Sequence, residues 1–244
     1  MKQFTHPYFN AIASLLTELD GAEAPYIETA SQWTAQTLCQ GNIIHTFGCG
    51  HSLSPALEPF HRSGCFAAVN VILAPELQFM HGAATGTRLE RQEGYSPRIL
   101  AQHNLQKGDI LFVFSNSGRN PAGIDAVLYA KEKGVKTVSV SAKHAHQKSR
   151  SRHSGGLMLF DAADLALDNH CAANETCLEL DGLQLAPLST VAACAVFHAV
   201  LFRAAQILAE QGVNLPVYQS SNLPGNDETN ERLSQLYKNR IKHL

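Results

Sequence analysis

Several features that would assign this 244-residue chain to a functional class are absent from its sequence. The formal net charge is only −2, so the chain has no general electrostatic attraction for nucleic acid. No apolar run reaches the length needed to cross a bilayer, and residues 1–7 lack the apolar core of a signal peptide. These absences predict a cytoplasmic protein that binds neither nucleic acid nor a membrane.

The cysteines and histidines lack the spacing of disulfide or metal frameworks. The six cysteines, at positions 39, 49, 65, 171, 177 and 194, include no C-x-x-C pair, so free thiols are expected. The twelve histidines are scattered without ligand spacing, and two of them lie in the Lys/Arg-rich segment 143–152. We therefore predict no bound metal. We interpret segment 143–152 as a solvated surface, the alternative being an anion-attracting rim.

The sequence does contain a globular composition and alternating strand-like and helix-like segments. Hydrophobic residues make up 45% of the chain and charged residues 16%. Helical patterns alternate with short β-prone runs at 42–47, 67–73, 110–114, 135–140 and 164–168. Such alternation gives a parallel sheet with helices on both faces, so the pattern predicts an α/β fold. A polar loop is expected after the last run, followed by a long apolar helix at 187–211.

Two helical patterns precede the first strand. Apolar residues recur at helical spacing through 6–39, with a break near 21–25. A pair of antiparallel helices with no sheet beside it needs a partner, which is either the body of the domain or a second subunit. We interpret residues 1–40 as an N-terminal helical hairpin that helps to build a dimer, and residues 41–244 as one domain that is compact with it.

A polar turn, Ser-Asn-Ser-Gly-Arg-Asn-Pro at 115–121, joins the strand at 110–114 to a helical pattern that ends near Lys133. The turn places hydroxyls and backbone N–H groups at a helix N-terminus, where the aligned peptide dipoles favour negative charge. A plain capped turn with no ligand has the same local pattern. This turn predicts a cradle for an anion.

A second turn, Gly-Cys-Gly-His-Ser at 48–52, follows the strand at 42–47. Its glycines permit close approach of a ligand, and Ser52 supplies a hydroxyl. Leu53 stands where a dinucleotide fingerprint would have its third glycine, so no nucleotide cofactor is expected. Because ligands of parallel sheets gather at the carboxyl ends of the strands, we expect the two turns to lie at one edge of the sheet.

The order of these motifs resembles the sugar isomerase (SIS) domain family. The motifs are G-x-G-x-S, then S-x-S-G-x-N, then a long helix that opens with Ser189 and Thr190. Stretches at 89–95, 115–120, 151–153 and 222–232 resemble a subfamily of phosphosugar-binding proteins. The resemblance implies a doubly wound five-stranded parallel sheet with helices on both faces, a homodimer or tetramer, and a sugar phosphate ligand bound without a cofactor.

The resemblance also implies which residues contact the ligand. The residues expected to hold the phosphate are Ser52, Ser115, Asn116, Ser117, Gly118 and Asn120. The residues expected to contact the rest of the substrate are Gly50, His51, Ser189 and Thr190. Small hydroxyls and helix N–H groups bind a dianion with little need of lysine, and the anion could also be a sulfonate.

Aldose-ketose isomerisation needs a base beside a carbonyl and an acid that serves the oxygens. Glu58 is our first candidate, because it lies six residues after Ser52 and less than two turns into the following helix. A helix-surface glutamate is the alternative. Arg62 and His81 complete the predicted catalytic set. Other residues that could reach the same ligand are His61, Glu90 and Glu93, whereas His198 on an apolar helix is interpreted mainly as a packed core residue.

Two classes of function are compatible with this sequence. The favoured hypothesis is an isomerase of a sugar or amino-sugar phosphate that works by acid/base proton transfer. The alternative is a non-catalytic phosphosugar-binding or sensor module, although no helix-turn-helix segment indicates a self-contained transcription regulator. Lyase or etherase chemistry on an amino-sugar phosphate would use a similar base.

Overall fold

The computed structural model describes residues 4–244 and is built on a central parallel sheet. The five strands are β1 (Ile44–Gly48), β2 (Val69–Val71), β3 (Ile110–Phe114), β4 (Lys136–Ser141) and β5 (Leu165–Asp168). Their order is β2-β1-β3-β4-β5, and every neighbouring pair is parallel. The chain moves outward from β1 to one side and then returns to β3 on the other side. The predicted doubly wound five-stranded sheet is therefore confirmed.

Helices cover both faces of the sheet. They are α1 (Pro7–Ala22), α2 (Ala24–Cys39), α3 (Leu53–Leu57), α4 (Ala83–Glu90), α5 (Tyr95–Leu100), α6 (Pro121–Glu132), α7 (Lys143–His146), α8 (Leu159–Ala162), α9 (Ser189–Glu210) and α10 (Asp227–Tyr237). Side chains along β3 alternate between the two faces, as a pleated strand requires. Phe112 and Phe114 join a core with α1, α2, α3 and α9, whereas Leu111 and Val113 join a second core with α4, α5, α6 and α8. The central strand β3 is apolar at every position because both of its faces are covered.

The N-terminal hairpin packs on the body of the domain. Leu15 and Leu19 of α1 and Ala30 of α2 belong to the same core as α9. Ser31 Oγ donates a hydrogen bond to the Val200 carbonyl at 3.1 Å, which ties α2 directly to α9. The hairpin therefore has a partner within its own chain, and its role in a dimer stays a prediction.

Helix α9 corrects one expectation from the sequence. It is long enough and apolar enough to span a membrane, whereas no run of that length was expected. In the fold, its residues Val196, Phe197 and Val200 are buried. The Phe197 ring lies 4.7 Å from the ring of Phe112 and 5.2 Å from that of Phe114, measured between centroids. This is the packing of a core helix against a sheet.

An antiparallel hairpin lies where only a polar loop was predicted. It consists of β6 (Thr176–Leu180) and β7 (Leu183–Pro187). Asp181 and Gly182 form the turn, with φ of 51° and 77°. Asp-Gly between two β-prone runs is a strong signal for a two-residue turn with both residues at positive φ, and it could have identified the hairpin. The hairpin separates β5 from α9, so its base lies beside the start of α9.

Candidate functional site

A cleft of about 290 Å³ opens at the carboxyl edge of the sheet. β1 and β3 are adjacent in the sheet although they are far apart in sequence, so the turns that follow them meet at this edge. The predicted residues that line the cleft are Gly50, His51, Ser52, Ser115, Asn116, Ser117, Asn120, Ser189 and Thr190. The structure thus brings together most of the residues that the motifs singled out.

The turn after β3 presents uncommitted donors to the cleft. Gly118 has φ of 61°, a backbone conformation that favours glycine, and an added Cβ would lie 3.4 Å from the Leu159 and Phe160 side chains. The Gly118 N–H donates to the Ser115 carbonyl at 3.2 Å and closes the turn. Asn120 is the N-cap residue of α6, and within residues 4–244 no side chain caps the first turn of this helix. Its backbone N–H groups can therefore receive an anion.

The turn after β1 passes so close to itself that its first residue must be glycine. A Cβ on Gly48 would lie 2.1 Å from the carbonyl oxygen of Ser52. Gly50 has φ of 54°, and a Cβ added to it would lie 3.5 Å from the Phe79 ring. The His51 ring packs on Phe79 with ring centroids 4.8 Å apart. This packing holds His51 and Ser52 at the wall of the cleft.

The cleft also contains two carboxylates, Glu90 and Glu175. Ser189 Oγ donates to Glu175 Oε2 at 2.6 Å, which holds this carboxylate at the start of α9. Glu175 has φ of 68°, an uncommon backbone conformation for a residue with a side chain. Residues held in such conformations cluster at functional sites, because the surrounding structure must impose them. The sequence predicted only a polar loop around Glu175, and its position before the Asp-Gly hairpin was the available signal.

The predicted catalytic residues Glu58, Arg62 and His81 do not line the cleft. Glu58 lies at the C-terminal end of α3, where its Oε1 forms an ion pair with Arg62 Nε at 2.9 Å. Its Oε2 forms a short hydrogen bond with Nε2 of His198 on α9. The His198 side chain is 42% exposed, so this histidine is not the packed core residue that was expected. His81 is exposed at the end of the 3₁₀ turn Phe79–His81.

Two further candidates from the sequence have partners outside the cleft. Glu93 accepts hydrogen bonds from the backbone N–H of Ser154 at 2.5 Å and from its hydroxyl at 2.7 Å. These bonds lower the pKa of Glu93. The His61 ring packs on Tyr218 with ring centroids 4.7 Å apart. Of the additional acidic and histidine candidates, Glu90 therefore has the most direct access to a ligand.

Glu58, Cys65 and His198 form a group that could hold a metal ion. Their ligand atoms all lie within 4.8 Å of one another, and carboxylate, thiolate and imidazole are the usual ligands of Zn²⁺. Burial and the nearby Glu58 carboxylate raise the pKa of the Cys65 thiol to about 11. A metal would therefore have to displace both the thiol proton and the Arg62 contact. The prediction of no metal stays a prediction.

Comparisons with known proteins agree with this architecture. A family model described as the SIS domain matches residues 7–142, which is more than half of the chain. A UPF0309 protein from Geobacillus thermodenitrificans is 35% identical and covers 97% of this chain and 96% of its own. A UPF0309 protein from Halalkalibacterium halodurans is 34% identical with the same coverage of both chains, 97% and 96%.

Solved structures with the same fold include two phosphoheptose isomerases. The enzyme from Francisella tularensis is 19% identical with a TM-score of 0.51, and the match covers 82% of this chain and 95% of that one. The enzyme from Neisseria gonorrhoeae is 16% identical with a TM-score of 0.50, and the match covers the same shares, 82% and 95%. At these identities the likeness concerns the fold alone.

Proposed function

Because this chain belongs to the SIS domain family, we propose that it binds a sugar phosphate in the cleft, with the phosphate held by the turn at 115–120. The hydroxyls of Ser115 and Ser117 and the backbone N–H groups at the start of α6 are the donors. A dianion at this point interacts favourably with the helix dipole and with several donors at once. Ser52 and Asn116 complete the set of polar groups around it.

Removing one hydroxyl from the cradle should weaken phosphate binding selectively. We expect Ser117→Ala to lower the affinity for sugar 6-phosphates about tenfold to a hundredfold, because it removes a hydrogen bond to a charged group. Titration calorimetry with a panel of sugar 6-phosphates measures the effect. Ser14→Ala, an exposed serine of α1, is the matched control and should bind like the wild type. Unchanged affinity in Ser117→Ala would remove the cradle assignment.

We further propose that the protein is an aldose-ketose isomerase in which Glu58 and His198 transfer the proton. The observation that carries this proposal is their hydrogen bond beside the cleft. Pro55 of α3 lines the cleft, and Glu58 lies three residues further along, on the same side of the helix and one turn on. Ala193 of α9 also lines the cleft, and His198 follows it by five residues, about 1.4 turns along the same helix.

In this mechanism the cradle fixes the phosphate end and leaves the carbonyl end to the proton-transfer groups. The Glu58 carboxylate takes the proton from C2 of the aldose, and the carbonyl oxygen at C1 is protonated, which yields an enediol. The proton then returns to C1, while the C2 hydroxyl loses its proton and becomes the ketone. His198 orients the carboxylate and can share the proton with it, as a partner of a general base does.

Proton exchange at C2 tests both the reaction class and the base. Each sugar 6-phosphate of the panel is incubated with the protein in D₂O and followed by NMR. We expect exchange and isomer formation with at least one ligand, and a loss of about 10²–10⁴ in rate for Glu58→Gln. Glu175→Gln and Glu90→Gln test the two carboxylates inside the cleft, and a larger loss in either would transfer the role of base to it.

The same experiment separates the alternative functions. A ligand that binds without C2 exchange would leave a phosphosugar-binding or sensor module, and the Arg62 contact with Glu58 is the observation that favours this alternative. C2 exchange followed by release of a substituent would indicate lyase or etherase chemistry on an amino-sugar phosphate. The NMR spectra distinguish the three outcomes, which are isomer formation, an unchanged ligand and a released substituent.

Self-association and location complete the proposal. We place the protein in the cytoplasm, which agrees with six cysteines that all lie outside disulfides in the described residues.

A homodimer or tetramer would cover exposed apolar side chains such as Phe202 of α9 and Phe9 of α1, which are 68% and 55% exposed. Sedimentation velocity measures the assembly state directly.

A further inference from the structure

Two arginines stand at the edge of the phosphate cradle. Arg119 precedes Asn120, the N-cap residue of α6, and Arg152 Nη1 donates to Asn120 Oδ1 at 2.7 Å. The backbone N–H of Arg152 donates to the Arg119 carbonyl at 2.9 Å. Arg119 Nε in turn donates to the Arg150 carbonyl at 2.7 Å. These bonds hold part of the basic segment 143–152 against the cradle.

A third guanidinium shares this region. Arg91 follows Glu90, which lines the cleft. Burial lowers the pKa of Arg152, and the positive charges of Arg91 and Arg119 lower it further, whereas Glu90 acts in the opposite direction. The charges of Arg91 and Arg119 therefore both act on the Arg152 guanidinium.

Glu90 opposes these positive charges from a distance, without an ion pair. Across residues 4–244, no carboxylate lies within ion-pair distance of Arg91, Arg119 or Arg152. An isolated exposed arginine needs no counter-ion. Neighbouring arginines repel one another, and a bound anion relieves that repulsion. Arginine is also suited to a planar oxyanion, because its donors form a rigid fork.

We propose that Arg91, Arg119 and Arg152 form a second oxyanion subsite beside the phosphate cradle, so that the physiological ligand is a phosphosugar with a second anionic group. A carboxylate and a second phosphate share the chemistry that this subsite recognises. The inference rests on the proposed phosphate site and adds the substrate class to it. The basic segment then acts as an anion-attracting rim, which is the alternative to the solvated surface expected from the sequence.

Paired ligands that differ by one anionic group test the subsite. Fructose 6-phosphate is compared with fructose 1,6-bisphosphate, and glucose 6-phosphate with 6-phosphogluconate, by titration calorimetry on the full chain. The second group should raise affinity about tenfold to a hundredfold in the wild type, because it adds charged hydrogen bonds. Arg91→Gln and Arg119→Gln should remove most of this gain and change monophosphate affinity less than about twofold, since single exposed charges contribute little.

The outcomes separate this inference from the proposed function. Arg98→Gln, an exposed arginine of α5 outside the cluster, is the matched control and should keep the full gain. Failure of every monophosphate to bind the wild type would overturn the proposed function. Binding of monophosphates with no gain from the second group would overturn the second subsite alone. A parallel loss for both members of each pair would also overturn it, because the arginines would then serve the cradle's own phosphate.

Discussion

Asp109→Ala should destabilise the protein by about 3–5 kcal/mol, the cost of removing one partner from a buried ion pair. The Asp109 side chain is fully buried at the amino end of β3. Its carboxylate accepts hydrogen bonds from the backbone N–H groups of Ile43 at 2.9 Å and Gln106 at 2.8 Å. It also accepts from Arg240 Nη2 at 2.9 Å and His45 Nε2 at 3.0 Å. Alanine would leave all four donors without this acceptor.

The charge of Asp109 is part of this stability. Burial raises the pKa of Asp109, but the hydrogen bonds and charge of its partners outweigh burial and hold the pKa below its ordinary value. The stabilisation is therefore present above the unfolded pKa, about 3.9, and is lost as the pH falls through the folded value. Burial lowers the pKa of His45. Its Nδ1 accepts from Asn70 Nδ2 at 2.8 Å, which fits a neutral imidazole that donates through Nε2.

Urea denaturation at pH 7, followed by circular dichroism, measures the loss. Asp161→Ala replaces an exposed aspartate of α8 and should change the free energy of unfolding by no more than about 0.5 kcal/mol. Asp109→Asn keeps the shape of the side chain and removes its charge. Its loss in free energy of unfolding should therefore lie between those of Asp161→Ala and Asp109→Ala. A loss below about 1 kcal/mol for Asp109→Ala would show that the network contributes little beyond ordinary hydrogen bonds.

Gly48→Ala should disrupt the cleft and lower ligand affinity about a hundredfold, because a displacement of about 1 Å in a positioning group can cost that much. The added Cβ would lie 2.1 Å from the Ser52 carbonyl oxygen and 2.5 Å from its carbonyl carbon. Both are backbone atoms, so rotation of a side chain cannot relieve the overlap. The whole turn at 48–52 would have to move, and His51 and Ser52 would move with it.

Gly21→Ala is the control for this prediction, and both ligand affinity and stability are measured for the two variants. Gly21→Ala introduces the same methyl group in α1 at a point where no atom lies within 4 Å of the new Cβ. It should leave ligand binding unchanged and stabilise the helix by up to about 1 kcal/mol. Sugar phosphate affinity in Gly48→Ala equal to that of the wild type would contradict the assignment of this turn to the site.

The layout of the sheet and the two turns could be predicted because their signals are local. Strand β3 is an uninterrupted apolar run buried on both faces, and polar turn residues follow it at once. The close approach at Gly48 likewise depends on Ser52, only four residues further along the chain. Parallel topology then requires the two turns to meet at one edge, although the strands are over 60 residues apart in sequence.

The sequence by itself therefore determined the α/β fold, the strands and the motifs that line the cleft. Only the tertiary structure decided that Glu58 pairs with His198, 140 residues away, and that Glu175 lies in the cleft. It also decided that Arg152 bonds to Asn120, 32 residues away in sequence. The physical reason is that spacing along a helix or loop sets which side chains share a face, whereas the packing of that element on the sheet sets what the face meets.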